Sequence, residues 1–184
     1  MYLKKKKLRV GLDLDDTIFL FMEYYLKKFR TPKNDYEITR NVTRILSKDK
    51  SFWINQPLIN RPNFIPTLYC TKRVHNKQWT KEQLEINNLP KAPIYQIYGQ
   101  FIDKSSRIKG LVDVFVDDSL SNMIEMNLNG IPCLLIDNPA NQSWGPIGRI
   151  YSLDKYEVED CYHLFKDTMF PYFKELVRGW KILN

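Results

Sequence analysis

The run LRVGLDLDDT, Leu8 to Thr17, takes a short apolar stretch straight into three carboxylates, Asp13, Asp15 and Asp16. Like charges packed so closely repel one another. Solvent, a Lys or Arg partner, or a hard divalent cation such as Mg²⁺ are the ways to hold them. An apolar strand that delivers carboxylates to its carboxyl end is one way to build a site; an acidic turn after a strand is the plainer reading. The pattern recurs in VFVDDS, where Asp117 and Asp118 follow a second apolar run. Between the two lie TLYCT, ending in Thr71 and followed by Lys72 and Arg73, and DKSSRIKG, with Lys104 and Lys109 as candidate counter-charges.

The elements that would position these groups alternate. Apolar spacings of three and four predict a helix over Ile18 to Phe29 (Phe21, Met22, Tyr25, Leu26, Phe29) and another over Tyr36 to Leu46. In SFWINQPLINRPNFIP the prolines Pro57, Pro62 and Pro66 bar a regular helix or central strand, so a structured loop is expected there. Further on, strands are expected at Thr67 to Thr71, Ile94 to Tyr98, Val112 to Val116 and Ile131 to Asp137. The helices among them are Trp79 to Asn88, capped at Thr80; Asp103 to Lys109; and Ser119 to Asn129, closed by Gly130. A tail helix over Val158 to Trp180 should break near Pro171. Alternation of this kind predicts a doubly wound parallel sheet, with Asp13 to Asp16, Thr71, Asp117 and Asp118 all at the carboxyl ends of strands, where such sheets bind ligands.

At 184 residues the chain suits one domain with room for a small insertion. No apolar run approaches a membrane span. The start MYLKKKK leads into the carboxylate strand instead of a signal-peptide core, and Cys70, Cys133 and Cys161 show no metal-ligand spacing, so a cytoplasmic protein with structural thiols is expected. The net charge of +7 falls to about +2 once Lys4, Lys5, Lys6, Lys7 and Arg9 are set aside. That run reads as a solvated arm or as a contact to nucleic acid.

In their order, these segments resemble the four motifs of the haloacid dehalogenase superfamily. Asp13, Asp15 and Thr17 match the DxDxT motif, Thr71 the second, Lys104 the third with Lys109 as a rival, and Asp117 with Asp118 the fourth. Within the superfamily the chain resembles the 5'(3')-deoxyribonucleotidases. The insertion after the first motif is small and helical, Phe21 stands where a substrate-facing Phe is found, Phe52 and Trp53 precede a proline-containing return, and IDNPANQSWGPIGRIYSLDKY is similar to that family's closing stretch.

The resemblance implies a three-layer Rossmannoid α/β fold, with residues 1–18 and 62–184 as the core domain and 19–61 as a helical cap. It implies Mg²⁺ held by Asp13, the Asp15 backbone carbonyl and Asp117 or Asp118. Asp13 would attack phosphorus and Asp15 would serve as general acid and base, with Thr71, Lys104 and Arg73 on the phosphate. Phe21, Phe52 or Trp53 would meet the base of a nucleoside monophosphate, or else form the cap's core. Monomer and homodimer are both compatible with the sequence. The rival readings are another small-molecule phosphatase, a polynucleotide 3'-phosphatase that uses the basic run, and a catalytically idle binding module of the same fold.

Overall fold

The computed structural model describes residues 7–98, 102–173 and 175. Six parallel strands form the central sheet: β1 (Val10–Leu12), β2 (Leu68–Thr71), β3 (Ile94–Gln96), β4 (Val114–Asp117), β5 (Cys133–Ile136) and β6 (Arg149–Ile150), in the order β3-β2-β1-β4-β5-β6. This is a Rossmann-like α/β arrangement flanked by helices. Strand order reverses at β1, which pairs with β2 on one side and β4 on the other, and in an open parallel sheet the crevice outside the carboxyl ends at such a reversal is where ligands sit. β1, β2, β4 and β5 are wholly buried, which explains their unbroken apolar runs.

Between β1 and β2 lie α1 (Met22–Lys28), α2 (Asp35–Arg44), a turn of 3₁₀ helix at Leu46–Lys48 and α3 (Lys50–Ile54). They carry an apolar cluster of their own, centred on Tyr25, Leu46, Phe52 and Trp53, separate from the main core. α4 (Lys77–Ile86), α5 (Lys104–Ile108), α6 (Leu120–Leu128) and α7 (Lys155–Thr168) complete the body. No helix among the described residues is long and apolar enough to cross a membrane.

Several boundaries differ from the sequence expectation, each for a local reason. The first helix begins at Met22 rather than Ile18, because Ile18 and Phe19 both donate to the Leu14 carbonyl in a tight turn. Asp16, with φ +54°, directs its carboxylate to the Phe21 and Met22 amides and so caps α1 from outside the helix. α3 fits a full turn before Pro57, inside a stretch expected to be loop. α4 is capped by Asn76, not Thr80, whose hydroxyl is buried and donates to Gln96. α6 ends as expected at Gly130, φ +84°. β6 was not expected; two residues are too short to show a period. α7 ends at Thr168 and helical backbone resumes at Phe170, while Leu176 and Trp180 lie outside the described residues. Lys4, Lys5 and Lys6 also lie outside them, and Lys7 is exposed.

Candidate active site

β1 and β4 are neighbours in register, Leu12 beside Val116, so the residues that follow them meet at one edge. Asp13, Asp117 and Asp118 each offer a carboxylate oxygen within 4.8 Å of the others. The Lys104 ammonium, on the first turn of α5, lies 2.7 Å from both Asp13 Oδ1 and Asp117 Oδ2. Lys109, the alternative, is exposed at the end of α5.

The three carboxylates are not equivalent. Asp117 also accepts from the Ser119 amide at 2.9 Å and from the Asn122 side chain at 3.1 Å, so both of its oxygens are engaged. The Asp118 carboxylate makes no hydrogen bond among the described residues and remains open as a ligand. Burial, with the nearby charges of Asp117 and Asp15, pushes the Asp13 carboxyl up to about 7 against the pull of Lys104. Burial and Asp117 push Asp118 well above the carboxylate range. Burial opposes the charge on Lys104, but Asp117 and Asp13 outweigh it and keep the ammonium protonated. One ammonium thus faces three carboxylates, two of them buried and Asp118 half-buried, an imbalance that a hard divalent cation with oxygen ligands would correct.

That imbalance has a measurable consequence. The Asp13 carboxyl is raised from its ordinary 3.8 to about 7, so across that window the folded protein holds a proton the unfolded chain has released. Stability of the metal-free protein therefore falls as pH rises through the window. In EDTA the melting temperature is expected to be higher at pH 5 than at pH 8 by about 4 °C or more, and Mg²⁺ should recover the loss at pH 8. Equal melting temperatures at the two pH values, with no response to Mg²⁺, would rule out a strained carboxylate cluster.

Asp15 stands apart from this cluster. Its carboxylate is gripped bidentately by Arg73, Nε to Oδ2 at 2.9 Å and Nη2 to Oδ1 at 2.7 Å, and it accepts from the Thr71 hydroxyl at 3.3 Å. Arg73 was expected to contact phosphate. Instead it is fully buried, and its remaining donors go to Gln83 Oε1 at 2.7 Å and Gln56 Oε1 at 3.3 Å, which leaves it to position Asp15. Behind this pair His75 lies between the rings of Trp53 and Trp79, with centroids 4.3 and 5.4 Å away. Its Nδ1 meets the Asn76 carbonyl, so that nitrogen carries the proton; burial and the Arg73 charge lower its pKa to about 4.

Asp15 borders a cavity of about 350 Å³ between the insertion and the sheet. Phe21, Ile38, Val42 and Trp53 line it from the insertion, Lys72, Val74 and Ile97 from the body. Phe52 packs edge-on to Trp53 and Phe21 behind this wall and does not line the cavity. Trp53 is 1% exposed and anchored through Nε1 to the Leu46 carbonyl at 2.7 Å, so it serves both the insertion's core and the cavity wall.

The stretch after β5 backs the site from below. Asn141 donates to the Asp118 carbonyl at 2.8 Å, and Arg149 ties Asp137, Asn141 and the Trp144 carbonyl together. No protein-family model matches the sequence, and no curated protein matches it either. Sequence reasoning missed Gln56, Gln83 and His75 as supports of Arg73 and its surroundings. Only Gln83 left a signal, a polar residue on the same helical face as buried Thr80 and Leu84.

Proposed function

We propose that the protein is a Mg²⁺-dependent phosphomonoesterase of the haloacid dehalogenase type, acting on nucleoside monophosphates in the manner of a 5'(3')-deoxyribonucleotidase. The observation that carries this reading is the pairing of two differently held carboxylates. Asp13 sits in a cluster of carboxylates spaced to hold an ion, while Asp15, two residues on, is fixed by Arg73 at the edge of a cavity of ligand size.

A divalent cation held by Asp13, Asp117 and Asp118 would supply neutralisation of the phosphoryl charge. The Asp13 carboxylate attacks phosphorus, the bond from phosphorus to the sugar oxygen breaks, and Asp15 gives that oxygen its proton. Asp15 then takes a proton from water as the water oxygen attacks the aspartyl phosphate, which breaks the bond from Asp13 to phosphorus, releases inorganic phosphate, frees the Asp13 carboxylate and returns Asp15 to the protonated form in which it began the cycle. Lys104 holds Asp13 in place throughout. Arg73 fixes the direction of Asp15, and the insertion keeps bulk water from the reacting atoms. Free thiols at Cys70, Cys133 and Cys161 suit the reducing, cytoplasmic setting that belongs to this reading.

The apolar walls from Phe21 and Trp53 beside Asp15 support a single nucleotide over a strand end. Phosphate release from a panel of ribo- and deoxyribonucleoside monophosphates with Mg²⁺, beside a 3'-phosphorylated oligonucleotide, tests the proposal. Turnover of monophosphates that EDTA removes is the expected result. Release from the oligonucleotide alone would shift the function to nucleic-acid ends, and binding of Mg²⁺ without release from any ester would leave an idle binding module.

A further inference from the structure

Three cations stand close to the carboxylates at this edge of the sheet, and two of them are committed. Lys104 is divided between Asp13 and Asp117, at 2.7 Å from each. Arg73 is spent on Asp15, Gln83 and Gln56. The third, Lys72, directly follows Thr71 at the end of β2, is half-buried, and lines the same cavity as Asp15. Among the described residues it makes no ion pair. A cation kept half out of water beside an apolar wall, with no anion paired to it among the described residues, is poised for an anion that arrives with a ligand.

Charge balance indicates which anion. Lys104 and a divalent cation together offset the carboxylates of Asp13, Asp117 and Asp118, and Arg73 offsets Asp15. A phosphomonoester brings two further negative charges to that balance, and Lys72 is a nearby cation that no carboxylate of the described residues holds.

We infer that Lys72 binds the phosphate dianion of the substrate and so favours phosphomonoesters over singly charged diesters. The inference rests on the hydrolase reading above. Phosphoryl transfer redistributes the substrate's charge without changing its total, so Lys72 acts on substrate and transition state alike and shows in KM rather than kcat.

The test uses the full chain with Mg²⁺ and inorganic phosphate as the probe, titrated calorimetrically into wild type, Lys72→Met and Lys72→Arg. Lys72→Met is expected to weaken phosphate binding roughly tenfold to a hundredfold, the loss of one charge-assisted hydrogen bond, with Lys72→Arg within about threefold of wild type. KM for a monophosphate should rise by the same factor in Lys72→Met while kcat stays within about threefold. Lys72→Gln takes the place of Lys72→Met if the latter does not melt cooperatively. Equal phosphate affinity in wild type and Lys72→Met overturns the inference, and so does a wild type that binds no phosphate. A wild type that binds phosphate but hydrolyses no monoester refutes the hydrolase reading instead, and the phosphate isotherms still decide the role of Lys72.

Discussion

Replacing Asp13 by Asn is expected to abolish phosphate release while raising the melting temperature of the metal-free protein at pH 8. The two effects come from one carboxylate. As the proposed nucleophile it would have no substitute, and loss of a residue of that kind costs about four orders of magnitude or more in turnover. As a buried charge it is held at a cost, since its carboxyl is pushed up to about 7 by burial and by Asp117 and Asp15. Asn keeps the shape and an oxygen able to accept from Lys104, but removes the repulsion, a gain on the order of 1 kcal/mol. Stabilisation by Mg²⁺ should shrink at the same time, because one of the three proposed ligands is gone. Turnover close to wild type would exclude Asp13 as nucleophile, and a fall in metal-free melting temperature would mean that its ion pair with Lys104 outweighs the crowding.

Arg73→Met should produce the largest loss of stability of any single change at the site. Arg73 is wholly buried, and its removal leaves the Asp15 carboxylate with only the Thr71 hydroxyl and takes the donor from Gln83 Oε1, while Gln56 Oε1 keeps its bond from Gln83 Nε2. Breaking a buried pair by deleting one partner costs about 3–5 kcal/mol, a large share of the stability of a domain this size. Arg73→Lys restores the charge but not the fork that holds two oxygens of one carboxylate, so partial recovery is expected. Urea unfolding followed by tryptophan fluorescence reads both variants, with a lower midpoint and an unchanged slope as the expected outcome. If both unfold within about 1 kcal/mol of wild type, Arg73 does not hold this part of the fold together.

The sheet and its functional edge were legible because the strands that matter most are buried on both faces. VGL and VFVD read as apolar runs ending in acid, and parallel topology carries those ends to one side. What stayed hidden depends on partners remote in sequence. Nothing adjacent to Arg73 reveals that Gln56 and Gln83, from the insertion's return and from α4, would close around it. The positive charge and the nearby Thr71 suggested an anion from solvent, whereas the fold supplies one from the protein. Phe52 and Trp53 are equally apolar in sequence, and only the direction of the α3 turn puts Trp53 on the cavity wall and Phe52 behind it. The third acid of LDLDD was another ambiguity. Asp16 reads as part of a ligand cluster, yet its carboxylate is occupied with the amides that open α1.

The outer strands of the sheet, β3 with three residues and β6 with two, bear on how the protein behaves in company. An unpaired strand edge is a template on which another chain can add, and its hold grows with each hydrogen bond it offers. Edges this short offer an incoming strand only a few, too little to offset the entropy of ordering it. The adhesive part of the sheet lies in its four middle strands, each already paired on both sides. Growth by adding strands edge to edge is therefore disfavoured for the folded molecule, and the hazard of aggregation falls on the nascent chain before β1 and β4 have found each other.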